Sequence, residues 1–186
     1  MRKSCGGFTA SELMVVVAIS GIITAFAVPG IVNGIREYRC SMAMRLLADE
    51  IHRAKTHAVS YNRRTSIAID TSNLDIQFMT YDTAGTTVTN TETVPLPRGI
   101  SFAQPPTTSA PLAGAPTSAG VSFPNRTGST TVFQQDFSSA GLPVLSVAGT
   151  VNAIYLTNGK TFNAVTVSPA GEVLRWRWTG AKWGHV

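Results

Sequence analysis

From Leu13 to Ile35 the chain runs 23 residues without a charged side chain, rich in Val, Ile, Ala and Met. As an α-helix this stretch is roughly 35 Å long, enough to cross a hydrocarbon core of about 30 Å. A core helix would carry a polar stripe, and this run has none. An ordinary secretory signal has an apolar region of about 7–15 residues with small residues after it. Here the small residues and the positive charges both come before the apolar run. A membrane span is the reading that remains.

Beyond Pro29 and Gly30 the pattern changes. Val32, Ile35, Met42, Leu46, Ile51, Ala54 and Ala58 recur near helical spacing, with Arg36, Glu37, Arg39, Arg45, Asp49, Arg53 and Lys55 on the remaining surface. The helix is therefore expected to continue in amphipathic form to about Val59, giving one N-terminal helix over 8–60 with residues 8–32 as its membrane part. Its apolar stripe needs a partner, and a downstream sheet is the expected one. Attachment of this basic helix to a membrane surface is the alternative.

From Arg64 onward the period becomes two. Thr65–Asp70, Asp75–Tyr81 and Val151–Leu156 read as short strands. Asn158-Gly159, between two such runs, predicts a hairpin with a two-residue type I′ turn. The neighbouring Gly159-Lys160-Thr161 is not a phosphate loop, because Ile154 stands where its first glycine would be. Residues 104–120, rich in Pro, Ala, Ser, Thr and Gly, predict a long flexible loop without a core strand. The fold class expected is α+β: a long helix packed on an antiparallel β-rich domain over 61–186.

Composition narrows the function. A chain of 186 residues holds one sizeable domain and an appendage. Its formal charge of +5 includes Arg2 and Lys3; without them 13 basic face 10 acidic side chains, too even a balance to imply generic phosphate binding. His52 and His57 are five apart, about 140° around a helix, and do not present a shared face to a metal. The acids are scattered, and no nucleophile elbow or ordered Ser/His/Asp set is present. Neither an enzyme nor a bound metal or cofactor is expected.

The N-terminal motif is specific. Arg2 and Lys3 are followed by Cys5, Gly6-Gly7, Phe8-Thr9, two further residues, Glu12 and the apolar run. This order resembles the prepilin signal of type IV pilins and type II secretion pseudopilins. The downstream "LLADEIHRAKTHAVSYNRRTSIAI", "FSSAGLPV" and "AVTVSPAGEVLRW" resemble the minor pilin and pseudopilin branch containing GspH, FimT and FimU. The resemblance implies a leader over 1–7, cleavage between Gly7 and Phe8, N-methylation of Phe8, an assembly contact at Glu12 and a helix kink at Pro29. It makes Ala10-Ser11 a departure, since Leu-Ile or similar is common there. Removal of the leader would leave Cys40 without an intrachain partner.

The same resemblance implies a filament subunit near the tip or priming complex. Its implied partners are a prepilin peptidase and methyltransferase, other pilins or pseudopilins, and an inner-membrane assembly platform. The basic leader places the N-terminus in the cytoplasm and the globular part outside the inner membrane. An acid at the mouth of a membrane span costs a few kcal/mol unless it is partnered. The expected partner of Glu12 is the new α-amine of a neighbouring subunit.

"EVLRWRWTGAKWGHV" is the one stretch where charge and aromatics interleave. As a strand it turns Val173, Arg175 and Arg177 to one face and Leu174, Trp176 and Trp178 to the other. The leading expectation has the tryptophans closing the core and the arginines in water. The alternative is a nucleic-acid platform on Arg175, Arg177 and Lys182, with DNA as partner. FimT-like pilins of DNA uptake carry Gly-Arg-x-Arg near the C-terminus. The matching stretch here is Gly171-Glu172-Val173-Leu174, and both arginine places are lost.

Overall fold

The computed structural model describes residues 9–106, 110–116, 120–144 and 151–186. Among the described residues a single helix, α1 (Ala10–Ser60), is followed by nine strands. These are β1 (Thr65–Asp70), β2 (Asp75–Tyr81), β3 (Val88–Pro95), β4 (Val132–Phe137), β5 (Pro143–Val144), β6 (Asn152–Thr157), β7 (Phe162–Val167), β8 (Val173–Trp178) and β9 (Trp183–His185). The chain divides into two compact units, residues 1–36 and 37–186. The α+β layout expected from the sequence is the one observed.

The second unit has its own core. One sheet runs β3-β2-β1-β4-β5 and the other β6-β7-β8-β9, with every pairing antiparallel. Both bury one face against α1 residues 40–58. Leu47, Ile51, Ala54 and Ala58 meet Ile67, Ile69 and Phe137 of the first sheet and Ile154, Leu156 and Val165 of the second in one cluster. Burial of such side chains stabilises by about 1.5–3 kcal/mol each. The buried stripe begins at Cys40 and runs through Ala43, Met44, Leu47, Ile51, Ala54 and Ala58. Val32, Ile35 and Met42, which the periodicity placed on it, are exposed, and Leu46 is only half-buried. Small residues decide this: Ala43, Ala48, Ala54 and Ala58 bring the helix backbone close to the sheets. The stripe is taken up by the core, while Met42 stays exposed and Leu46 half-buried beside it.

Two turns of like sequence close on the same helical residues. Ser138-Ser139-Ala140-Gly141 joins β4 to β5, and Ser168-Pro169-Ala170-Gly171 joins β7 to β8. In each, the glycine N–H donates to the serine carbonyl at 2.8 Å. Lys55 Nζ donates to the Gly171 carbonyl at 2.9 Å, and the Lys55 side chain also runs past Gly141.

Two sequence expectations are corrected. Thr157 and Phe162 form the last pair of the β6–β7 hairpin, so its connection holds four residues. The Asn158 side-chain oxygen accepts the N–H groups of Lys160 and Thr161 at 2.9 and 2.8 Å. That Asx-type arrangement leaves Gly159 alone with a positive φ, whereas a type I′ turn needs two such residues. The Pro- and Ala-rich stretch, expected to be a flexible loop, packs where it is described. Ala115 is buried and Leu112 half-buried on the outer face of the second sheet, and the Tyr155 hydroxyl donates to Pro116 O at 2.7 Å. Tyr155 and Ala164 give that sheet a second apolar face, which such a segment can cover. Burial pushes the Tyr155 hydroxyl up to about 12.

Candidate functional site

Gly7 and Phe8, the expected cleavage and methylation positions, lie outside the described residues, as does Cys5. The N-terminal site is therefore built from Thr9 onward. Thr9 precedes the first helical residue, and Glu12 is in the first turn. Glu12 N–H donates to Thr9 Oγ1 at 3.3 Å. In return Glu12 Oε2 accepts the Thr9 N–H at 2.9 Å and the Thr9 hydroxyl at 2.8 Å. This is a capping box, in which two orphan donors of a helix start are satisfied reciprocally. The carboxylate also opposes the positive end of the helix dipole. Glu12 thus has a partner within its own chain, an arrangement the sequence reading did not anticipate. Its signal was present: Thr-x-x-Glu before an apolar run is the sequence form of that cap. Both bonds land on one oxygen, and an ionised carboxylate has about four acceptor positions, so an ammonium can still be received.

Behind Glu12 the apolar run is open. The thirteen large apolar side chains between Leu13 and Ile35 are each more than two-fifths exposed, with Phe26 at 82 %. That surface is far beyond the few hundred Å² a soluble monomer usually leaves exposed. The helix is long and apolar enough to cross a membrane. Pro29 lies inside α1, which continues through it. Its missing N–H removes the bond that Ala25 C=O would otherwise accept.

The C-terminal candidates are divided among three places. On β8 the expected alternation holds, but the roles of its faces differ from the expectation. Val173 joins the helix-facing core, so Arg175 and Arg177 share the helix side of the sheet. Arg177 is ion-paired with Glu37. Arg175 lines a cavity of about 300 Å³ together with Asp49, His52 and His185. Lys182 sits in the turn between β8 and β9, where its N–H faces Thr179 Oγ1 at 3.4 Å.

The tryptophans occupy the outer face. Trp176 and Trp183 pack with Tyr155 and Ala164 there, and Trp176 Nε1 donates to Thr166 Oγ1 at 2.9 Å. Trp178 and Trp183 meet edge-on with ring centres 5.4 Å apart. The aromatics thus build a second apolar cluster, not the main core, because the outer face of β6–β8 is itself apolar. A groove of about 530 Å³ beside Arg177 is lined by Lys160, Phe162 and Trp178. Charge and aromatic surface meet there, with Glu37 already facing the arginine.

Cys40 is buried at the start of the core stripe. Burial pushes its thiol up, and Asn163 Nδ2, donating to Sγ at 3.2 Å, works in the opposite direction. No family model, curated protein or solved structure matches the chain.

Proposed function

We propose that the chain is a structural subunit of a filament of the type IV pilus or type II secretion pseudopilus kind. It is held as a single-pass protein in the inner membrane with its globular part outside. It is cleaved after Gly7, methylated on Phe8 and then drawn into the filament, near its tip or priming complex. Its partners are the prepilin peptidase and methyltransferase, neighbouring pilins or pseudopilins, and the membrane assembly platform.

The observation that carries this reading is the pairing of a capped acid with a bare apolar helix. Glu12 starts a helix whose next 23 residues hold no charge and whose large apolar side chains are exposed. A bilayer shields those side chains before assembly, and neighbouring helices of the same kind shield them afterwards. Glu12 cannot be shielded in this way. Its remaining acceptor positions favour a cation, and the α-amine released by cleavage of a neighbouring subunit is the expected one. The acid then acts as a register device, satisfied when a subunit is seated correctly.

The test is co-expression with a prepilin peptidase, followed by mass spectrometry of the membrane-bound protein. An N-methyl-Phe start is expected, and an intact Met1 would overturn the reading. Glu12→Ala is expected to insert and be cleaved, yet to stay out of filaments.

DNA binding is the second reading. The observation bearing on it is the grooved surface beside Arg177, and the Glu37 carboxylate on that arginine weighs against it.

A further inference from the structure

Strand β3 ends the five-stranded sheet, and nearly all of its residues are exposed on both faces. Among the described residues it is hydrogen-bonded on one side only, to β2. The other long margins among the described residues are covered. β6 exchanges backbone bonds with Ser101 and with Gly120 and Ser122, and β4 does so with Pro124 and Arg126 as well as with β5. β9 is only three residues long.

An open edge is a template for another strand, and proteins usually blunt it with lysine, inward charge, proline or a bulge. On β3 these devices are confined to the ends or neutralised. The register shift falls at Thr89, and Pro95 is the last residue, so Asn90–Val94 is regular. The one charge, Glu92, accepts from the Arg53 guanidinium of the same chain at 2.5 Å.

The backbone direction of each residue follows from one bond. Leu96 N–H donates to Leu74 O at 2.8 Å, and Val94, Glu92 and Asn90 share its alternation toward β2. Thr91 and Thr93 therefore turn their N–H and C=O groups to the open edge. Antiparallel pairing of β3 with another β3, centred on Thr91, sets Thr91 against its own copy and Asn90 against Glu92, and brings the shifted Thr89 opposite Thr93 only at either end. Threonine pairs across strands are favourable, and no like charges meet. Centring on Glu92 would oppose two carboxylates. Centring on Thr93 would set Pro95, which has no N–H, against Thr91.

We propose that β3 is a self-complementary edge through which two copies of this chain join their five-stranded sheets into one continuous antiparallel sheet, with Thr91 on the two-fold axis. The contact is isologous and closes at two copies. It rests on the domain alone and is independent of the filament reading.

Cysteine cross-linking of the detergent-solubilised full chain tests the register, in a Cys5→Ser background with the buried Cys40 retained. Thr91→Cys is expected to form a disulfide-linked dimer under mild oxidation. Thr93→Cys is expected to react at least about tenfold more slowly, because its counterpart lies four residues along the strand, roughly 13 Å away and beyond disulfide reach. Thr91→Pro removes an N–H that faces the edge and not β2. It is expected to keep the wild-type thermal midpoint and to lose the dimer in sedimentation. A wild-type chain that stays monomeric, equal cross-linking at 91 and 93, or a Thr91→Pro dimer of undiminished affinity would each overturn the proposal. The last two results are those a dimer held by the apolar helices would give.

Discussion

Arg177 on β8 and Glu37 on α1 form an ion pair that joins positions 140 residues apart in the chain. Both side chains are 46 % exposed, so the pair stabilises the fold by no more than about 1 kcal/mol. Its larger effect is on what Arg177 can do, since a guanidinium facing a carboxylate must leave it to meet a phosphate.

DNA binding by this surface is accordingly expected to be weak. The full chain in detergent should bind duplex no more tightly than roughly 10⁻⁴ M at physiological salt, the weak end of non-specific association. Arg175→Ala/Arg177→Ala should change that by less than about twofold. Glu37→Gln is the sensitive variant, because it releases Arg177. Fluorescence anisotropy against salt concentration measures all three. Tight wild-type binding whose salt slope falls in the double variant would restore these arginines as DNA contacts.

The stability of the domain should fall in two steps as the solution is acidified. His57 is stacked on Tyr61, and burial, with Arg53 and Arg63 nearby, holds its ring below the usual histidine value of 6.5. Its contribution is complete above that value and is lost as pH falls from there to its folded value. With the other lowered carboxylates Asp70, Asp82 and Glu92, Asp136 contributes to the second step. Burial acts against its charge, but hydrogen bonds from Gln134 and Ser66 and the Arg64 guanidinium outweigh burial and lower its carboxyl below 3.8. Stability from Asp136 is present above 3.8 and is lost as pH falls through the lower, folded value. His57→Gln should flatten the upper step alone. Asp136→Asn should reduce the lower step, which Asp70, Asp82 and Glu92 share, and cost about 1–3 kcal/mol near neutrality, since it leaves buried donors short of a partner. Thermal midpoints against pH read both.

The elements whose cause is local were visible in the chain before any coordinates. The bounds of β1 and β2 follow from alternation alone, and the length of α1 from an uncharged apolar run continued by helix-spaced apolar positions, across Pro29 and Gly30. What stayed hidden depended on distant partners. Met42 and Cys40 are both apolar and two residues apart, yet only Cys40 is buried, because alanines at 43, 48, 54 and 58 choose the face that approaches the sheets. No periodicity assigns the Pro-rich segment to the outer face of the second sheet; Tyr155 and Trp176, far along the chain from Leu112 and Ala115, make that face apolar. At the candidate site the opposite held. The Thr9–Glu12 cap is four residues long and wholly local, and its Thr-x-x-Glu signal stands directly before the membrane run.

The glycines of the two like turns should differ sharply from the hairpin glycine. Gly141, Gly159 and Gly171 all have positive φ, at 72°, 87° and 78°. An alanine in that region costs roughly 1–2 kcal/mol for its backbone alone. At Gly159 nothing lies within 4 Å of an added Cβ, so this is the whole expected loss. At Gly141 the added carbon would come within 2.7 Å of Val59 Cγ2, and overpacking adds about 1–3 kcal/mol. Val59→Ala should recover part of the Gly141→Ala loss and none of the Gly159→Ala loss. Denaturant unfolding of the single and double variants gives the comparison.

Glu12 caps its own helix, and the proposed filament role would add a second use, a charge offered to a neighbour. Three substitutions separate the two. Thr9→Ala removes the hydroxyl that accepts the Glu12 N–H and costs the helix start about 1 kcal/mol, but leaves the carboxylate. Glu12→Gln keeps a residue able to complete the box and removes only the charge. Glu12→Ala removes both. If seating depends on charge, Thr9→Ala should enter filaments at close to the wild-type level, while Glu12→Gln should fail as completely as Glu12→Ala. If the acid serves only as a cap, Glu12→Gln should assemble and Thr9→Ala should show the defect. Shear-released filaments quantified by immunoblot, with cleavage followed in the same cells, distinguish the two outcomes. The amide is the informative variant: it occupies the same place on the same turn, and it differs where an α-amine would be met.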